Sequence, residues 1–572
     1  MSRFRLWREH PAFDRETQAE LAPLGDRPDE VEERFGKHLA FGTAGLRGVI
    51  GAGTNRMNRY VVRLVTSALA GCLLEGGDGA CRQGVVIAHD SRRCSPEFAR
   101  EAALVLAGAG VRAYLWESLR PTPLLSFAVR ELSARAGVMI TASHNPPEYN
   151  GYKVYWEDGG QVPPDRAARI EARMRTADVT AVPVADEAEA RAAGLIRPVP
   201  EAVDRAYLDR LLALVPGGGR GRGACRIIYT PLHGTGNRPV RQVLTEAGFA
   251  VTVVLTEAEP DPSFGDVKSP NPEEPSAFAA ALRLAAEQAE RPDVIMATDP
   301  DADRLGVMVH VGPEDRFRLL SGNQLGALLV AYLLEQYRTE GRLPPNGAIA
   351  KSLATANMVA PICAAYGVAL VNTHTGFKFI ADRIREWEET GEHTFLFGFE
   401  ESYGYLAAPF VRDKDAVMAA LLTAEAAAYY KELGKSLWVA LQELFGRYGH
   451  YREAVRSITL PGQQGLSRMA ALMAVLRESP PAAFGPLPVA CVDDYATGLS
   501  LNPATGQSSP LPLGRADVLH YQFADGGFVI VRPSGTEPKL KLYVSVVGAD
   551  GPGADAMLEA VMAAAVERLG VE

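Results

Sequence analysis

The chain is poor in cysteine: six in 572 residues, at 72, 81, 94, 225, 363 and 491, with no pair in a CxxC spacing. That excludes a cysteine zinc-ligand pair and a dithiol redox motif, and scattered thiols in a long chain fit a reducing compartment. Long apolar runs are also missing. No stretch approaches about 18 uncharged apolar residues, so no membrane span is expected. The richest run, Ala416 to Tyr430, is interrupted by Glu425 and reads as a buried helix. The first residues, Met1 to Glu9, hold no apolar core for a signal peptide. Basic excess is absent: 59 Lys and Arg stand against 69 Asp and Glu, a net charge of −10, which disfavours a nucleic-acid or anionic-membrane surface but leaves a basic pocket possible. No GxxxxGK[ST] phosphate loop is present, since Tyr429 stands where Gly434-Lys435-Ser436 would need its leading glycine, and no dinucleotide fingerprint sits in a convincing context. What remains, 47% hydrophobic and 22% charged residues with 55 Gly and 39 Pro, is an ordinary globular chain rich in turns. Its length suggests about four domains of roughly 150 residues.

One unit recurs, beginning at residues 85, 226 and 348. Val85–Ala88 reads as a buried strand, followed by a polar loop, a helix opened by Pro96 with Ser95 as its N-cap, a glycine at 110 and a strand over 111–116. Arg226–Tyr229, the loop through His233-Gly234-Thr235-Gly236-Asn237, a helix to Gly248 and a strand over 249–255 form the second copy. The third runs from Ala348–Leu353 through a helix starting near Thr355 to Gly367 and a strand over 368–372. Strand–loop–helix–Gly–strand is the grammar of layered α/β domains. Residues 216–223, PGGGRGRG, read as a flexible linker before the second copy. The last stretch differs: 497–511 reads as loop, 524–531 and 539–547 as strands around a turn, and 555–569 as a closing helix. The expected fold is therefore α/β, three similar mixed domains in series plus a smaller C-terminal α+β domain, around a central cleft. The expected boundaries are 1–205, 206–315, 316–445 and 446–572.

Five motifs carry chemistry. In Asp299-Pro300-Asp301-Ala302-Asp303-Arg304, three carboxylates at alternate positions follow the strand-like Val294-Ile295-Met296. Hard oxygen donors in that number suit Mg²⁺ or a similar cation. A calcium EF-hand fails, with Arg304 at its sixth position and His310 at its twelfth. Thr141-Ala142-Ser143-His144-Asn145-Pro146-Pro147 sets a serine at a strand end, presented rather than buried, with Asn150-Gly151 as a turn into Tyr152-Lys153. Ser143 is a candidate nucleophile or phosphorylation site, His144 and Lys153 candidate proton-transfer groups, and the lack of a GxSxG elbow disfavours a serine hydrolase. Arg532-Pro533-Ser534-Gly535-Thr536 combines a guanidinium, hydroxyls and glycine backbone, the composition of a phosphate cradle. Gly398-Phe399-Glu400-Glu401-Ser402-Tyr403-Gly404 offers carboxylates and a hydroxyl to sugar hydroxyls, and Phe41-Gly42-Thr43-Ala44-Gly45-Leu46-Arg47-Gly48 allows close approach of an anion. Each alone also reads as a polar turn. Together they suit phosphoryl transfer on a polyhydroxylated anion.

In order and over nearly the whole chain, these motifs resemble the α-D-phosphohexomutase superfamily, in particular the phosphoglucomutase/phosphomannomutase group. The Phe-Gly-Thr-Ala-Gly opening and Asn-Gly-Tyr-Lys-Val-Tyr continuation resemble its phosphoglucomutase and phosphopentomutase branch. The resemblance implies an isomerase, a cytoplasmic intramolecular phosphotransferase interconverting glucose 1-phosphate and glucose 6-phosphate through a phosphoserine and a bisphosphorylated sugar. Ser143 would carry the phosphate. Asp299, Asp301 and Asp303 would hold one Mg²⁺, with the Ser143 phosphate as a further ligand. Arg47, Lys153 and Arg304 would surround the transferring phosphate. Lys414, in Arg412-Asp413-Lys414-Asp415, would sit near the reacting group as a proton-transfer candidate. Glu400 and Ser402 would bind sugar hydroxyls, and Arg532, Ser534, Gly535 and Thr536 the second phosphate. Glucose 1,6-bisphosphate would serve as activator and intermediate. Sugar phosphates are the expected partners, without nucleic acid or membrane, for a monomer or weak homo-oligomer. Pro300 and Ala302 replace the glycines common in the family's metal loop but keep every carboxylate. A mannose, ribose or deoxyribose substrate under the same mechanism is the alternative, and a non-catalytic sugar-phosphate-binding homologue a third reading.

Overall fold

The computed structural model describes the chain except residues 1, 41–44, 217, 218, 220, 313–315, 461–464, 535–538, 571 and 572. It divides into two compact units: residues 1–322, 381–391 and 402–436 form the first, and 323–380, 392–401 and 437–572 the second.

In the first unit, the apolar strands read from the sequence become the inner strands of two sheets. The first sheet runs in the order Leu46–Val49, Tyr149–Trp156, Ala136–Ile140, Val85–His89, Ala113–Leu115, Ile196–Pro198. The last four strands are parallel, and the first two pair antiparallel at one edge. Val85–His89 and Ala136–Ile140 are buried along their whole length, as strands covered by helices on both faces must be. The amphipathic helices Arg59–Leu74 and Ser95–Gly108 cover this sheet around Leu69, Ala99, Leu106 and Val138. The N-terminal helices add an aromatic cluster, with Trp7 stacked on Phe13 and edge-on to Tyr60 and Phe35. A second sheet orders Phe317–Leu319, Leu305–His310, Val294–Thr298, Arg226–Thr230, Ala250–Val253, with its last three strands parallel. Helix Ala416–Glu432 is buried along nearly its whole length, as its apolar run predicts.

In the second unit, Ala369–Thr373, Gly347–Ser352 and Thr394–Glu400 are parallel neighbours. A larger antiparallel sheet follows, in the order His450–Thr459, Lys539–Gly548, Phe528–Pro533, Leu519–Phe523, Leu487–Asp494, Leu499–Leu501, Ser508–Pro510. Helices Gly465–Glu478 and Gly551–Leu569 pack on one face of it through Met473, Val561 and Leu542. Three α/β layers and a C-terminal α+β domain are the expected architecture.

Four local expectations are corrected. Ser95 is the first helical residue rather than the cap, because its hydroxyl is spent on Asp90 Oδ1 at 2.7 Å while Cys94 precedes it at φ 64°. The third-copy helix begins at Val359 rather than near Thr355, whose hydroxyl instead pairs with Ser352 Oγ at the end of strand Gly347–Ser352, at 2.9 Å. The stretch 497–511 contains the short strands Leu499–Leu501 and Ser508–Pro510, edge strands that only tertiary pairing stabilises. Asn150 and Gly151 are no turn: they lie inside strand Tyr149–Trp156, and a Cβ on Gly151 would stand 2.4 Å from Thr141 O and 2.7 Å from Leu46 O. The glycine lets strands approach, rather than reversing the chain.

Candidate active site

Strand Val294–Thr298 ends in the acid loop, and the loop is held by its backbone. Pro300 O, Asp301 O and Ala302 O accept, in turn, the N–H groups of Thr235 at 2.8 Å, Thr122 at 2.9 Å and Ala416 at 3.2 Å, donors from three distant segments of the first unit. Asp299 Oδ1 accepts the N–H groups of Asp303 and Arg304, both at 3.0 Å. Thus pinned, the Asp299, Asp301 and Asp303 side chains are buried, and each offers an oxygen within 4.8 Å of the others'.

Ser143 reaches this cluster from another sheet. Its Oγ donates to Asp299 Oδ2 at 2.6 Å and lies 3.1 Å from His144 Nδ1. Expected to be presented, the serine is 2% exposed, because the acid loop, 156 positions away, packs onto it. Its φ is 52°, the left-handed region that non-glycine residues rarely occupy. Lys153, on the neighbouring strand, donates to Asp301 Oδ2 at 2.7 Å and lies 3.4 Å from Asp303 Oδ2. Lys414 lies 3.2 Å from Asp303 Oδ2 and 2.9 Å from Asp413 Oδ1. Asp413 is fixed in turn by Tyr155 at 2.7 Å and Gln161 at 2.9 Å. Arg304 pairs with Glu273 and stands 3.7 Å from Asp303. Arg47 is exposed and donates to Asn145 Oδ1 at 2.8 Å.

Burial, with the charges of Asp301 and Asp303, pushes Asp299 well above the usual carboxylate range. Asp303 is equally buried, yet Lys414, Lys153 and Arg304 hold it far below that range. Burial works against the Lys153 ammonium, but Asp301 and Asp303 raise it above an ordinary lysine. Burial, with Arg304 and Arg47, lowers His144 well below an ordinary histidine, so its ring is neutral at pH 7.

The trio fits a hard cation. Asp301 Oδ1 and Asp303 Oδ1 are buried and accept no hydrogen bond among the described residues. A buried carboxylate oxygen without a partner is costly, and three carboxylates converging without a counter-charge at their centre repel. An all-oxygen donor set supplies what Mg²⁺ prefers.

The second unit holds Glu400, Glu401 and the Arg532 motif. Glu400 ends strand Thr394–Glu400, and its Oε1 accepts the Gly376 N–H at 2.7 Å. Glu401 Oε2 accepts from Ser352 Oγ at 2.9 Å and Thr355 Oγ1 at 3.4 Å. Ser402, the next residue in the chain and part of the first unit, is half-buried. Arg532 lies near the end of strand Phe528–Pro533 beside the Tyr543 hydroxyl, and the Ser534 N–H bonds Lys539 O at 2.7 Å. Gly535 and Thr536, like Phe41 to Ala44, lie outside the described residues.

Sequence reasoning thus finds the groups that converge on the acid loop: Ser143, His144, Lys153, the three Asp, Arg304 and Lys414. It misses their supports. Thr122, flanked by Pro121 and Pro123 at a helix start, bonds Asp301 twice, through its N–H and through Oγ1 to Oδ2 at 2.9 Å. The Pro-Thr-Pro triplet was the available signal. Glu273, Thr235 and Gly376 carried none, since only tertiary contact gives them a partner.

Family models described as phosphoglucomutase/phosphomannomutase domains I, II, III and C-terminal match residues 38–181, 205–312, 321–448 and 473–564. The chain is 38% identical over 523 residues to a phosphoglucomutase of Staphylococcus epidermidis, spanning 91% of this chain and 92% of that one. A Staphylococcus haemolyticus phosphoglucomutase is 36% identical over 516 residues, 90% and 91% of the two chains. Among solved structures, the open form of the Paramecium phosphoglucomutase parafusin superposes with a TM-score of 0.70 at 18% identity, covering 93% of this chain and 96% of the other. No helix among the described residues is long and apolar enough to cross a membrane.

Proposed function

The chain belongs to the phosphoglucomutase/phosphomannomutase family and is a phosphosugar mutase, and we propose that it interconverts glucose 1-phosphate and glucose 6-phosphate through a phosphorylated Ser143. The observation that carries this reading is the 2.6 Å hydrogen bond from Ser143 Oγ to Asp299 within a buried trio of aspartates ringed by Lys153, Lys414 and Arg304.

In the proposed reaction the phosphoryl group leaves Ser143 Oγ for the free hydroxyl of the bound sugar phosphate. The P–O bond to serine breaks, a P–O bond to the sugar forms, and the hydroxyl proton passes to a base. The bisphosphorylated sugar then presents its other phosphate, which returns to Ser143 while the released sugar oxygen takes up a proton. Asp299, Asp301 and Asp303 would hold Mg²⁺, whose positive charge would stabilise the transferring phosphoryl oxygens. Lys153, kept as an ammonium by two carboxylates, acts on the phosphate as a charge and not as a base. Arg304 and Arg47 add fixed positive charge. Proton transfer falls to the neutral His144 ring at Ser143 Oγ and to Lys414, and pH–rate profiles of His144→Asn and Lys414→Met separate their roles. Glu400 and Ser402 recognise sugar hydroxyls, and the loop from Arg532 to Thr536 binds the phosphate that is not transferred.

The test is a panel of glucose, mannose, ribose and deoxyribose 1-phosphates at fixed enzyme and Mg²⁺. Glucose 1-phosphate is expected to give the highest kcat/KM. A higher value for mannose or a pentose would reassign the substrate, and stoichiometric release of free phosphate would overturn mutase chemistry.

A further inference from the structure

Arg92 hydrogen-bonds to no side chain assigned above to substrate or metal, yet its own side chain is among the largest fully buried ones. It stands in the loop after strand Val85–His89, and its guanidinium is spent on the backbone of the serine loop. Nη2 donates to Ser143 O at 2.5 Å and to Asn145 O. Nη1 donates to Pro146 O at 2.8 Å and Tyr149 O at 3.1 Å. Four carbonyls within seven residues thus converge on one planar fork. Behind it, Nε lies 3.3 Å from Asp90 Oδ2, and Asp90 Oδ1 accepts the Arg92 N–H at 2.9 Å and Ser95 Oγ at 2.7 Å. Asn150 closes the ring by donating to Ser95 Oγ and Arg93 O, both at 2.9 Å. The Phe264 ring caps the guanidinium, its centroid 4.9 Å from Cζ.

Burying a charge is costly, and apolar side chains would fill this volume at lower cost. Only arginine supplies five N–H donors in a rigid plane, the geometry needed to gather carbonyls that a turn has splayed apart. Ser143 holds a left-handed φ, a conformation that persists where the surroundings over-determine it. One of the four bonds fixes Ser143's own carbonyl, and so the orientation of the residue that aims Oγ at Asp299.

We propose that Arg92 is the positioning residue of the nucleophile: it holds the loop from Ser143 to Tyr149 in the conformation that presents Ser143 Oγ to the acid loop. The proposal rests on the reading of Ser143 as the phosphoryl carrier. It requires that loss of the fork slow the transfer step without weakening sugar-phosphate binding.

The test is Arg92→Lys, which keeps the charge beside Asp90 but replaces the two-nitrogen fork with a single ammonium. Three quantities are read: kcat and KM for glucose 1-phosphate, and the single-turnover rate at which glucose 1,6-bisphosphate phosphorylates Ser143, followed by intact-protein mass. The expected result is a fall of about 10- to 100-fold in both rates, the scale of a misplaced reacting group, with KM unmoved. A purely structural role would lower the melting temperature and leave the folded variant's kcat alone. That outcome, or a raised KM at unchanged kcat, overturns the proposal. Should Arg92→Lys fail to fold, Phe264→Leu uncaps the guanidinium while leaving every carbonyl bond. A smaller drop in kcat at constant KM supports the proposal, and unchanged kcat overturns it. Full turnover by Ser143→Ala would remove the premise instead, an outcome read without any Arg92 variant.

Discussion

Thr122→Val removes one atom's chemistry from the acid loop and leaves its shape. The Thr122 hydroxyl is fully buried and donates to Asp301 Oδ2 at 2.9 Å, while its N–H bonds Asp301 O. Valine keeps the volume, the N–H and the helix start. A hydrogen bond to a charged acceptor contributes about 1.5–3 kcal/mol. Lys153 still satisfies the same oxygen at 2.7 Å, so the low end of that range applies. About 1.4 kcal/mol is a factor of ten in an equilibrium constant, which sets the expected loss of Mg²⁺ affinity at about tenfold, within the range seen when a partner of a metal ligand is removed. The assay is the Mg²⁺ dependence of the initial rate at saturating glucose 1-phosphate, beside a calorimetric Mg²⁺ titration. The half-saturating concentration should rise about tenfold, with the rate recovered at high Mg²⁺ and the melting temperature nearly unmoved. Unchanged Mg²⁺ affinity in a folded variant would refute the assignment of Asp301 as a ligand oriented by Thr122.

Two further outcomes follow from single residues. Burial raises the Asp415 carboxyl to about 6 from an ordinary 3.8, even though the N–H groups of Met418 and Val417 and the Tyr207 hydroxyl draw it down. The folded state therefore binds more protons than the unfolded one between those values, so this residue's contribution to stability falls as pH rises through that window, by up to about 3 kcal/mol at neutral pH. Asp415→Asn keeps an acceptor for Met418 and Tyr207 and should flatten the urea midpoint between about pH 4 and 6; an unaltered slope would contradict the sign. Gly404→Ala would place a Cβ 2.1 Å from Lys414 Cδ. It should drive Lys414 from Asp303 and Asp413, cost about 1–3 kcal/mol of stability and lower kcat; parental kcat would show that Lys414 is not needed where it stands.

Much of this was legible in the sequence because chemistry and pattern coincide locally. The apolar run before Asp299 marks a buried strand, and alternate aspartates after it mark a loop that gathers oxygens. What was not legible depends on distant partners. Ser143 reads as presented because nothing near it in the chain covers it, and it is buried by an acid loop that only the fold brings there. Asn150-Gly151 has the local signature of a turn, and strand pairing with Arg47 and Gly48 overrides it. Arg92 reads as one more polar loop residue, since the four carbonyls that give it a role are backbone atoms that carry no sequence signal. Thr235, Thr122 and Ala416 support the acid loop through N–H groups that almost any residue would offer.

The central claim is that the phosphoryl group travels through Ser143. Its most direct measurement is peptide mass spectrometry of the protein after brief incubation with glucose 1,6-bisphosphate and Mg²⁺, paired with turnover of Ser143→Ala. Phosphate is expected on the peptide containing Ser143, with its discharge on adding glucose 1-phosphate and no turnover by the alanine variant. An unmodified Ser143 in a protein that turns over, or full activity in Ser143→Ala, would contradict it.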